Sequence, residues 1–92
     1  MVDKTVEIHV DGLVQGVGFR YYTTKAARRL DITGWVANQS DGSVKIIASG
    51  KDPQLNQFIQ IIKDDPAPLG RVTHFSSNYI PFQSFNEFGV KY

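Results

Sequence analysis

The chain of 92 residues carries 10 Lys and Arg against 9 Asp and Glu, for a net charge of +1, with 41% hydrophobic and 12% aromatic residues. A chain this size hides somewhat over ~60% of its unfolded surface, enough for one core, so residues 1–92 read as a single folded domain and not a disordered segment. The absence of cysteine excludes disulfides, thiolate zinc sites and a thiol nucleophile, and the balanced charge argues against a nucleic-acid partner held by phosphate neutralisation.

Met1-Val2-Asp3-Lys4-Thr5 shows no signal-peptide pattern and no apolar run suits a bilayer, so a cytoplasmic protein without a membrane partner is expected. Val6, Ile8 and Val10 alternate with Glu7, His9 and Asp11, the period-two pattern of a strand with one wet face. A glycine-rich stretch, Gln15-Gly16-Val17-Gly18-Phe19-Arg20, follows. From Tyr21 the period becomes helical. Tyr22, Ala26, Ala27 and Leu30 share a face, with Lys25, Arg28 and Arg29 on the solvent side and Asp31 at the C-terminal stop. Trp35-Val36-Ala37 reads as a second strand, and Asp41-Gly42 signals a hairpin leading into a third strand over Ser43–Ser49.

Asp52 suits the N-cap of a second helix, with Pro53 at its first position and Leu55, Phe58, Ile59 and Ile62 along one stripe. Pro66 and Pro68 end it. A fourth strand is predicted over Arg71–Tyr79 and a short last one over Phe88–Tyr92. The order β-α-β-β-α-β is that of an α+β, ferredoxin-like split βαβ fold. It implies a mostly antiparallel sheet, two helices on one face and a short extra C-terminal strand. The helical crossover makes the first two strands parallel, so their C-terminal ends share one rim of the sheet. The glycine stretch and Asn38 then meet there.

Glycines let backbone N–H groups close round an anion, a helix N-terminus adds unpaired donors, and Arg20 adds a planar fork of donors. Residues 15–20 therefore read as a phosphate grip. Tyr21 stands where a dinucleotide fingerprint needs its third glycine, and the Gly-Lys-Ser/Thr ending of a nucleotide P-loop is missing. Gly16-Val17-Gly18-Phe19 touches the RNA-recognition pattern, but Val17 replaces its aromatic, Arg20 interrupts the apolar part, and the stretch follows the first strand.

Val10-Asp11-Gly12-Leu13-Val14-Gln15-Gly16-Val17-Gly18-Phe19-Arg20 resembles the N-terminal signature of the acylphosphatase family. Gly34-Trp35-Val36-Ala37-Asn38-Gln39-Ser40-Asp41-Gly42-Ser43-Val44, followed by Gly50, resembles its second signature. The resemblance covers essentially the whole chain. It implies cofactor-free hydrolysis of acyl phosphates to a carboxylate and inorganic phosphate. In that reading Arg20 binds the phosphate, Asn38 positions the attacking water, and backbone N–H groups from Gln15 through Gly16, Val17 and Gly18 to Phe19 complete the cradle. Ser43 is a candidate for holding the Asn38 amide.

The residue types suit such a substrate. An acyl phosphate is a mixed anhydride whose leaving carboxylate belongs to an acid of pKa roughly 4, so no proton need be delivered to expel it. Holding the phosphoryl group and aiming a water then suffices. No carboxylate or histidine is compellingly placed as a base, which points to a substrate phosphate oxygen as proton acceptor. A small acyl phosphate is the expected partner, with inorganic phosphate as product inhibitor, no metal and a monomeric chain. The alternative is a phosphate- or carbamoyl-phosphate-binding module with little turnover, since similar domains occur inside larger enzymes that process carbamoyl phosphate.

Other conspicuous residues have plainer readings. Phe19, Tyr22 and Trp35 read as core aromatics, and Gly12 and Gly42 as turn glycines. His9 and His74 lack metal-ligand spacing, and Asp64-Asp65 is a solvated helix end.

Overall fold

The computed structural model describes residues 3–92. Its elements are β1 (Asp3–Leu13), α1 (Phe19–Arg29), β2 (Thr33–Asn38), β3 (Val44–Lys51), α2 (Asp52–Lys63), β4 (Arg71–Ile80) and β5 (Phe88–Val90). The strands form one sheet in the order β4-β1-β3-β2-β5. β3 runs antiparallel to both β1 and β2, β4 is antiparallel to β1, and β5 lies parallel to β2. This is the anticipated ferredoxin-like arrangement with its extra C-terminal strand.

Rungs across the three central strands show how the core is built. Ile8 pairs with Ile46, which pairs with Val36; two rungs along, Val10 pairs with Val44, which pairs with Asn38. Side chains on alternate rungs share a face, so Val6, Ile8, Val10, Val36, Val44 and Ile46 all point toward the helices. There they form one buried cluster with Phe19, Ala26 and Ala27 of α1 and Leu55, Phe58 and Ile62 of α2. Phe58 also meets Phe88 of β5 edge to face, with ring centroids 5.9 Å apart. Both helices thus cover the same face, as their apolar stripes predict.

Several expectations need correction. Trp35 has the opposite parity from Val36 and lies half-buried on the face away from the core, with Lys91 Nζ 4.5 Å from its ring centroid. Helix α1 begins at Phe19, two residues before the apolar period becomes legible, and Arg28 does not merely face water. Its Nε and Nη2 donate to the Phe88 carbonyl at 3.3 and 3.1 Å, tying α1 to β5. Asp52 is the first residue of α2 rather than its cap. Lys51 takes the cap position without a side-chain cap bond, and the Asp52 carboxylate meets Lys4 Nζ at 3.1 Å. Asp31 does adopt the left-handed conformation (φ 57°) expected of its helix stop. Among the described residues no helix is long and apolar enough to cross a membrane.

Gly12 is a strand residue, not a turn residue. The pairing of β1 with β4 shifts register between Asp11 and Gly12, and Gly12 has φ 127°. A Cβ there would collide with the Arg71 carbonyl oxygen and stand 2.8 Å from Thr73 N, both backbone atoms that cannot swing away. Gly12→Ala is therefore expected to destabilise the fold by about 3 kcal/mol, from overpacking together with backbone strain. Urea unfolding monitored by circular dichroism measures this. A change below about 0.5 kcal/mol, the ordinary range for surface substitutions, would contradict it.

Candidate active site

The loop after β1 is pinned at both ends. Val14 and Phe19 are each 1% exposed, so the four residues between them arch over two buried anchors. Within the arch Gly16 and Gly18 take φ values of 77° and 80°, and Gly18 is the residue preceding α1. Left-handed residues at these points turn successive N–H groups toward one side, the geometry of a backbone anion nest. Among the described residues, no acceptor meets the N–H of Gln15, Gly16, Val17, Gly18 or Phe19; the first donor in the helix is Tyr22 N, to Gly18 O at 3.0 Å. The first turn of α1 contains no acidic residue, so the positive end of its dipole is left uncompensated.

Arg20, the second residue of α1, extends from this helix start. Among the described residues it has no carboxylate partner, and its Cζ lies 5.2 Å from the Tyr92 ring centroid. A permanently charged fork beside unpaired N–H groups offers donors of the kind that a doubly charged phosphoryl group requires.

Asn38 closes β2 and shares the parity of Val36, so its side chain turns toward the helix layer at the level where α1 begins. Its Oδ1 is buried and makes no hydrogen bond. A buried unpaired amide oxygen costs on the order of 1–3 kcal/mol, which the fold tolerates when the atom serves a ligand or water. Asn38, Arg20, Gln15, Gly16, Gly18 and Phe19 together line one open cleft of about 340 Å³. The topological expectation that Asn38 and the glycine loop share a rim is thereby met. Val17 does not line the cleft; its side chain packs against the core.

Ser43 is placed differently from its expected part. Its hydroxyl donates to Asp41 Oδ1 at 2.6 Å rather than reaching the Asn38 amide, and its own N–H donates to the same oxygen at 2.9 Å. These two bonds hold the Asp41 carboxyl below its ordinary range, the hydroxyl contributing most. Sequence reasoning missed two features. One is the Gln15 side chain, whose Nε2 donates to the Gln39 and Ser43 carbonyls, each at 2.9 Å. The other is the wall that Val90 and Tyr92 add to the cleft. It follows from the parallel pairing of β5 with β2, which the sequence pattern does not announce. Among the described residues, no side-chain carboxylate or imidazole lines the cleft, and no three His, Cys, Asp or Glu side chains cluster as metal ligands.

The acylphosphatase family model matches residues 6–90 of the chain. An acylphosphatase of Pediococcus pentosaceus is 46% identical over 97% of this chain and 99% of its own length. Among solved structures, the crystal structure of acylphosphatase from Bacillus subtilis superposes with a TM-score of 0.92 at 35% identity, covering 99% of this chain and all of that one. Full-length HypF in its phosphate- and nucleotide-bound form matches with a TM-score of 0.91 at 27% identity over 98% of this chain and 12% of that chain.

The lowered Asp41 value fixes the sign of one pH effect. A carboxyl bound more weakly by protons in the folded state stabilises the hairpin at and above its unfolded value of 3.8, and the stabilisation is lost as pH falls through the folded value. An NMR titration of the Asp41 carboxyl carbon is expected to show a midpoint below 3.8 that moves up in Ser43→Ala. A midpoint unaffected by Ser43→Ala would contradict the assignment.

Proposed function

The chain belongs to the acylphosphatase family, whose expected activity is hydrolysis of acyl phosphates, and we propose that Arg20, Asn38 and the backbone of residues 15–19 carry that reaction. The observation behind the proposal is the convergence on one cleft of an uncompensated guanidinium, a loop whose N–H groups are unpaired and the Asn38 side chain, whose amide oxygen is buried without a partner.

The phosphoryl oxygens of the substrate sit among the N–H groups of Gln15 to Phe19 and the Arg20 fork. Charge on those oxygens is greatest as the phosphoryl group transfers, so preorganised donors favour the transition state over the bound substrate. Asn38 Oδ1 accepts a hydrogen bond from a water O–H and turns the water's lone pair toward phosphorus. A new P–O bond forms from the water while the bond from phosphorus to the carboxylate oxygen breaks. The carboxylate leaves as an anion, its conjugate acid having a pKa of roughly 4, and needs no general acid. The water's proton passes to a phosphate oxygen, in keeping with a cleft that offers no side-chain base. No step in this route calls for a metal ion or other cofactor.

On this reading residues 1–92 work as one domain and one monomer in the cytoplasm, on a small acyl phosphate, with inorganic phosphate occupying the same cradle as a competitive inhibitor. A second reading, a phosphate- or carbamoyl-phosphate-binding module with little turnover, draws on the likeness to HypF, a protein far longer than this chain. The two separate in a single assay. Hydrolysis of benzoyl phosphate in excess EDTA, inhibited competitively by inorganic phosphate, supports the enzyme. Phosphate binding without turnover supports the module, and loss of activity in EDTA would overturn the metal-free route.

Arg20→Ala is expected to lower kcat/KM by the ~2.7–4 kcal/mol typical of a preorganised donor, and Arg20→Lys to remain poor because a point charge does not replace a fork. Asn38→Ala should lower kcat while leaving inhibition by phosphate nearly unchanged. Normal kcat in that variant refutes the water-positioning role. His9→Ala and His74→Ala should retain kcat within about threefold, and a loss of roughly a hundredfold in either of them would reinstate a side-chain base.

A further inference from the structure

The phosphate grip and the water-positioning amide sit on separate segments. β1 and β2 do not pair; β3 lies between them, and Val10, Val44 and Asn38 form one rung across all three. β3 begins at Val44, so beyond that rung the sheet no longer spans the gap. The loop bearing the cradle and the hairpin following Asn38 both rise past this point.

The bond that spans the gap is made by Gln15. Its amide nitrogen donates one hydrogen to the Gln39 carbonyl and the other to the Ser43 carbonyl, both at 2.9 Å, which uses its full donor capacity. Those carbonyls are the two sides of one hairpin mouth: Gln39 N donates to Ser43 O at 2.8 Å, and Gly42 N to Gln39 O at 3.2 Å. Gln39 is the residue next to Asn38. Among the described residues, no other side-chain hydrogen bond joins residues 14–20 to residues 38–44.

We infer that Gln15 is a positioning residue, whose side-chain amide sets the distance between the phosphate cradle and Asn38 and acts on turnover through Asn38. The inference rests on the reading of Asn38 as the water-positioning group. Its physical basis is the steep dependence of an in-line displacement on geometry, where a misplacement of about 1 Å can cost on the order of a hundredfold in rate. The cradle N–H groups and Arg20 belong to the loop itself, and Val14 and Phe19 anchor that loop independently. Loss of the Gln15 amide therefore leaves phosphate binding in place and releases the hairpin. An ordinary loop-to-loop hydrogen bond would behave otherwise, lowering the melting temperature without touching kcat in the folded protein.

A double-mutant cycle on the full chain decides it, with kcat, KM and the inhibition constant of inorganic phosphate measured on benzoyl phosphate for wild type, Gln15→Met, Asn38→Ala and the double variant. Gln15→Met is expected to lower kcat between about tenfold and a hundredfold while the phosphate inhibition constant moves less than about threefold. In the Asn38→Ala background the same substitution should cost less than about twofold, because its effect travels through the missing amide. Losses that simply multiply in the double variant overturn the inference, as does a wild-type kcat in Gln15→Met. Should Gln15→Met fail to fold by circular dichroism, Gln15→Leu removes the amide donors without adding a charge beside the cradle, and is read by the same criteria. A wild type that hydrolyses benzoyl phosphate, with an impaired Asn38→Ala, keeps the parent reading intact whatever Gln15 does. An inactive wild type, or an unimpaired Asn38→Ala, removes the parent reading and this inference together.

Discussion

The antiparallel pairing of β3 with both β1 and β2 is the constraint on which the rest depends. A strand antiparallel to two neighbours forces those neighbours to be parallel to each other. The C-terminal ends of β1 and β2 then open on one rim, although the glycine loop and Asn38 lie on either side of a whole helix in the chain. Register does the remaining work. Because Asn38 falls on the same rung as Val10 and Val44, its side chain points into the helix layer instead of away from it. A slip of one residue would send it to the opposite face.

Packing turns this placement into a rigid site. The loop is held between Val14 and Phe19, both buried, and Phe19 is also the first residue of α1. The same aromatic that fills the core therefore fixes where the helix begins, and so where its unpaired N–H groups and Arg20 point. The site keeps polar atoms unsatisfied that a purely structural loop would pair. On the proposed reading, its chemistry would consist of fixed donors for a charge that grows on phosphorus-bound oxygens and one acceptor that turns a water. An activated anhydride asks for little beyond that, which fits a cleft lined, among the described residues, by no side-chain carboxylate or imidazole.

Much of this was legible before any coordinates. Alternation at Val6, Ile8 and Val10 marks the face of β1, and the stripe Leu55, Phe58 and Ile62 marks the buried side of α2, because apolar burial has a fixed period in each element. Two long motifs in register locate Arg20 and Asn38. What stayed hidden depends on tertiary neighbours. Trp35 looks like a core residue by type, yet strand parity puts it on the outer face beneath Lys91. Gly12 resembles a turn glycine until the β4 backbone is seen against it. The Arg28 bonds to Phe88 and the Gln15 clamp each join segments far apart in sequence through a backbone carbonyl, a partner that carries no residue-type signature. The parallel pairing of β5 is hidden for the same reason, since three residues, Phe88–Val90, carry too little pattern to declare a neighbour.

The central claim is that the cleft holds a phosphoryl group and aims water at phosphorus, not at the acyl carbon. Hydrolysis of benzoyl phosphate in ¹⁸O-labelled water, with both products analysed by mass spectrometry, tests it most directly. Label in inorganic phosphate and none in benzoate is the expected result. Label in benzoate would mean that water attacks the carbonyl, and would contradict the roles given to Arg20, Asn38 and the loop.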